Sequence, residues 1–193
     1  MQFANCEFNC YIAATMRKHN GMRPHDIVIL LKILAKGEQS WYNKDLAEEL
    51  YLSASEISES LNRSVQAGFI DQKKKKVFKN ALLEFLVHGL KYVFPQQPGA
   101  LVRGIPTAHS APVAFNYFLS EESYVWPDSK GNMRGQAIEP LYPTVPQAAQ
   151  NDAAFYNLVA LCDMLRVGRV REIKFAADKL KQMFQNKSYE QTN

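Results

Sequence analysis

The stretch "SASEISESLNRSVQ", residues 53–66, carries the side chains best suited to recognition chemistry. Ile57, Leu61 and Val65 recur every four residues and predict a helix with one buried stripe. At about 100° per residue, the face opposite that stripe holds Ser55, Glu56, Glu59, Asn62, Arg63 and Gln66. Ser, Asn and Gln hydrogen-bond base edges, Arg suits guanine, and Glu accepts from the cytosine amino group. Ser55, Glu56, Ser58, Glu59, Asn62 and Arg63 are therefore the candidate base-contacting set. Glu59 and Arg63 stand four apart, a spacing at which they pair and hold the guanidinium in one orientation. Ser53 and Glu56 have capping-box spacing, and the positive end of the helix dipole favours a carboxylate there. The same face also suits a solvated helix or a protein-docking surface.

Phosphate affinity is expected from the neighbouring "QKKKK": Lys73, Lys74, Lys75 and Lys76, with Lys79 just beyond. Such contacts position a protein on DNA without specifying sequence. The alternative is a solvated lysine turn. In "LVRGIPTAHSAP", Arg103, Thr107, His109 and Ser110 form either a small polar effector site or a structural loop. Cys6, Cys10, His19 and His25 superficially resemble zinc ligands, but the interval between the pairs is short for a finger. No glycine-rich phosphate loop, G-x-S-x-G or H-E-x-x-H is present, so neither catalysis, a cofactor nor a metal is expected.

The elements that must position these groups follow from periodicity. Residues 23–37 predict a helix through Ile27, Leu30, Leu31 and Leu34, stopped by Gly37. A second follows from Asn43 through Leu46 and Leu50, and Ser53 caps the third. Gly68 ends that helix, and "FIDQKKKKVFKN" reads as two short strands around a lysine turn. "KDLAEELYLSASEISESLNRSVQAGFIDQKKKKVFKN" resembles the second helix, recognition helix and wing of MarR-like winged helix-turn-helix transcription regulators. The resemblance covers about residues 22–94. Tyr51 stands where such sequences often have glycine, and Ser64 where they have an apolar residue. It implies double-stranded DNA as partner, and commonly a homodimer reading two half-sites.

The whole chain therefore reads as mainly α, with a small β-wing. Residues 1–21 are an extension, 22–80 the winged helix-turn-helix domain, and 81–94 a connecting helix through Leu82, Leu86, Leu90 and Val93. Residues 95–147 hold eight of the nine prolines and read as an irregular but ordered strap. Residues 148–186 form a helical pair separated by Gly168, and 187–193 a frayed tail. The apolar stripes of that pair, Phe155, Leu158, Val159, Cys162 and Leu165, then Ile173, Phe175, Ala176, Leu180 and Phe184, either dimerise or close the monomer core.

Composition sets the outer bounds. The 193 residues are 47% hydrophobic and 22% charged, which is that of an ordered globular chain. A formal charge of +4 mildly favours an anionic partner. An odd cysteine count without framework spacing argues against a disulfide-built secreted domain. With no signal-peptide pattern and no long apolar run, a cytoplasmic protein without a membrane span is expected. The readings that follow are a sequence-specific DNA-binding transcription regulator, a repressor or autoregulator acting as a homodimer, or a protein-interaction module such as an antitoxin-like or assembly subunit.

Overall fold

The computed structural model describes residues 21–185 except 119 and 121. Residues 1–20 of the extension and the tail lie outside them. Helix α1 (Pro24–Ala35) sits at the centre: every residue from His25 to Ile33 is buried. A helix apolar on nearly all sides belongs inside, and α1 packs against α2 (Asn43–Leu50), α3 (Ala54–Gln66) and the later α7 (Ala153–Val167). Its Lys32 is buried too, with Nζ 2.6 Å from Asp152 and 2.9 Å from Glu49. Those carboxylates compensate the buried charge and tie α1 to α2 and α7.

The α2–α3 turn passes through Tyr51 in the left-handed region, φ 55° and ψ 43°. A residue with a Cβ therefore occupies the position where glycine is the easier choice. Ser53 closes the expected capping box: its Oγ accepts from Glu56 N at 3.1 Å, and its own N donates to Glu56 Oε2 at 2.9 Å. After Gly68, at φ 74°, the lysine segment folds back on itself. The two strands expected there reduce to one antiparallel bridge, Ile70 with Val77. Asp71 explains this. Its Oδ1 accepts from Lys75 N at 2.6 Å and Lys76 N at 2.8 Å, and Lys74 is left-handed at φ 56°. Backbone donors that a longer ladder needs are held by one carboxylate.

The connecting helix is broken in two, α4 (Lys79–His88) and α5 (Leu90–Val93), at Gly89. The Phe85 ring comes within 2.9 Å of where a Cβ on Gly89 would lie. Val93, expected on the buried stripe, is exposed, while Leu90 just past the break is buried.

The proline-rich segment is more regular than its composition suggests. It contains β1 (Leu101–Pro106), β2 (Tyr124–Pro127) and β3 (Met133–Ala137). β1 pairs antiparallel with both others, and β2 and β3 pair in parallel, so the small sheet closes on itself. Closure needs close backbone approach: a Cβ on Gly104 would lie 2.0 Å from Trp126 O, and one on Gly131 2.2 Å from the Gly104 carbonyl. Among the described residues the sheet thus lies in the strap, and the lysine turn has only its bridge.

Three helices follow: α6 (Val145–Gln150), α7, and α8 (Val170–Gln185). Asp152 splits α6 from α7 by accepting from Phe155 N at 2.9 Å, and Gly168 separates α7 from α8 as expected. Phe155, Leu158, Val159, Cys162, Leu165, Ala176, Leu180 and Phe184 are buried within the single chain, with Ile173 and Phe175 partly so. Of the two readings of these stripes, burial within the single chain matches closure of the monomer core. Among the described residues no helix is long and apolar enough to cross a membrane.

Candidate nucleic-acid interface

Helix α3 presents Ser55, Glu59, Asn62 and Gln66 to solvent, while Glu56 and Ser58 are half-buried. Glu56 acts as the cap, and its carboxyl is held below the usual range chiefly by the Ser53 backbone N–H. It also accepts from Tyr142 Oη at 3.2 Å, so the end of the strap meets the first turn of α3.

Arg63 departs from the expected base-contacting role. Its Nε donates to Asp26 Oδ2 at 2.9 Å and its Nη2 to Asp26 Oδ1 at 2.6 Å. Asp26 is fully buried, and the Arg63 side chain is only 11% exposed. The expected Glu59 contact exists at 3.8 Å, but the fixed two-point partner is Asp26. Arg63 Nη2 also lies 2.9 Å from His25 Nε2. A guanidinium only donates, so His25 Nε2 carries the lone pair. Burial pushes the imidazole below its ordinary range, consistent with that neutral form. Sequence spacing cannot reveal such a partner on another helix.

The lysines divide as well. Lys73, Lys75, Lys76 and Lys79 are exposed and Lys74 is half-buried. Lys75 turns back: Nζ donates to Trp41 O at 3.1 Å and lies 4.5 Å from the Trp41 ring centroid. An ammonium over an indole face is held by cation–π attraction, so the exposed Lys75 leans on Trp41 while, among the described residues, its neighbours make no such contact. Beside it opens a groove of about 2050 Å³, lined among others by Trp41, Tyr42, Tyr51, Lys75, Phe78 and Met183.

The polar residues of the strap anchor it rather than line one pocket. Thr107 Oγ1 and Trp126 Nε1 donate to Asp163 Oδ2 at 2.9 and 2.6 Å, and Arg166 Nη1 to Asp163 Oδ1 at 2.7 Å. Burial pushes the Asp163 carboxyl up, and these donors oppose that. His109 Nε2 lies 2.9 Å from Glu122 O and Nδ1 3.3 Å from Glu172 Oε1. Ser110 Oγ accepts from Tyr124 N at 2.9 Å. Arg103 alone of that group is exposed, on β1. Trp126 and Asp163 were not legible as partners, being 37 residues apart in sequence.

Cys6, Cys10 and His19 lie outside the described residues. Among those described, no cluster of His, Cys, Asp and Glu is arranged to hold a metal ion. No family model matches the chain, and no curated protein or solved structure does.

Proposed function

We propose that this chain is a cytoplasmic transcription regulator of the winged helix-turn-helix kind, a repressor or autoregulator that binds duplex DNA. The observation that carries the reading is the outward face of α3, where Ser55, Glu59, Asn62 and Gln66 stay exposed immediately before the exposed Lys73, Lys76 and Lys79. Short hydrogen-bonding groups on a helix suit base edges in the major groove. Lysines on the following turn suit phosphate. Glu56 and Arg63 serve this reading indirectly, by capping α3 and fixing it to α1. A homodimer is the proposed DNA-bound form, because one such helix covers only a half-site.

A gel shift on the protein's own upstream region, titrated with salt, tests this. A retarded band at low salt that fades steeply with added salt is the expected result. Absence of any shift at low salt, with a neighbouring gene product co-purifying, would overturn it.

One observation favours a second reading, a protein-interaction module. The groove beside Lys75 is larger than the roughly 300–1,000 Å³ that suits a small ligand, and Tyr42, Tyr51 and Phe78 stay exposed along it.

A further inference from the structure

β1 and β3 place Arg103 directly opposite Arg134 in antiparallel register. Side chains so paired lie on one face with Cβ atoms about 4.5–5.5 Å apart, where like charges repel. Both arginines are exposed. Among the described residues, no carboxylate lies within ion-pair distance of either. Asp128 is an acidic neighbour through the backbone, its N donating to Arg103 O at 3.1 Å. Its side chain is already engaged, with Oδ1 accepting from Lys130 N at 2.7 Å.

The same turn brings a third cation close. Gly131 packs on the Gly104 backbone so tightly that a Cβ on Gly131 would lie 2.2 Å from the Gly104 carbonyl. That contact fixes the 128–131 turn, with exposed Lys130, against the strand segment carrying Arg103. Leu101, Val102, Arg103, Asn132, Met133 and Arg134 line one depression there. The sheet register therefore sets two arginines opposite each other, with no ion pair to a carboxylate among the described residues.

We propose that Arg103 and Arg134 form a binding site for a phosphate-class oxyanion, with Lys130 at its rim. Planar guanidinium forks match phosphate oxygens two at a time, and an anion between them converts repulsion into attraction. The phosphate can come from a nucleic-acid backbone or from a small phosphorylated molecule.

The test compares the full chain with Arg103→Gln, Arg134→Gln and the double variant, all changed at exposed positions. Melting is followed with inorganic pyrophosphate against chloride at matched ionic strength. At about ten times its dissociation constant, pyrophosphate is expected to raise the wild-type Tm by about 3 °C or more and to leave the double variant unmoved. In low-salt buffer without phosphate, each single variant should melt no lower than wild type, since it removes a repulsion. A duplex titration then separates the sources. About a fivefold or greater loss of duplex affinity in the double variant assigns the site to nucleic-acid phosphate; unchanged duplex affinity assigns it to a small phosphorylated molecule. Equal pyrophosphate shifts in wild type and double variant, or no shift in either, would overturn the proposal. The pyrophosphate arm does not require DNA binding by α3, so the two readings fail separately.

Discussion

Arg63 on α3 and Asp26 on α1 form a two-point ion pair, with donor–acceptor distances of 2.9 and 2.6 Å and the carboxylate fully buried. The helix proposed to face DNA is therefore fixed to the central helix of the core by the very residue whose type suits guanine. Its orientation depends on this joint, and the remaining outward residues depend on that orientation.

Removing one partner of such a pair strands the other. Asp26→Asn is expected to lower the unfolding free energy by about 3 kcal/mol, because a mostly buried guanidinium loses its counter-charge. Urea denaturation measures it. A change below about 1 kcal/mol would mean that Arg63 swings out to solvent freely.

His25 gives the joint a pH dependence. Burial, the largest effect, holds its imidazole below the ordinary 6.5, with Asp26 opposing. With the folded value lowered, the unfolded chain takes up the proton more readily. Stability is thus full above 6.5 and falls as pH drops through the lower folded value. Melting temperatures at pH 7.5, 6.5 and 5.5 should decline more steeply in wild type than in His25→Gln, whose amide oxygen can still accept from Arg63. Parallel curves would remove His25 from the joint.

Cys162 is fully buried and burial pushes its thiol up. In a Cys6→Ser/Cys10→Ser background, it should resist a thiol reagent until denaturant unfolds the chain. Rapid modification under native conditions would contradict the packing of α7.

Trp126 and Thr107 are the strap's donors to Asp163. Trp126→Phe keeps most of the ring volume but takes away one donor from a buried carboxyl. A loss of about 1–3 kcal/mol is expected in denaturant unfolding. A neutral result would show that the strap is held by packing alone.

The sequence made local features legible and distant pairings not. Ser53 with Glu56 and the Gly37, Gly68 and Gly168 stops depend on neighbours within one turn, and all appear where spacing put them. The small sheet was hidden because its glycines, which read as breakers, are the residues that let its strands approach closely. Arg63 looked outward by helical angle, yet its long side chain reaches back to α1. Lys75 looked like its neighbours until Trp41, 34 residues earlier, came beside it. Arg134 carried no signal at all, since its meaning comes from a strand register.

The central claim is that duplex DNA is gripped by the lysine turn, and salt dependence reads this directly. Each phosphate neutralised contributes about 0.9 to the slope of log affinity against log salt. Changing Lys73, Lys74 and Lys76 together to alanine should weaken binding to all duplexes and flatten the slope by about 2 to 3. Lys75→Ala, whose ammonium lies on Trp41, should leave the slope nearly unchanged. A triple variant that binds duplex with the wild-type slope would contradict the account.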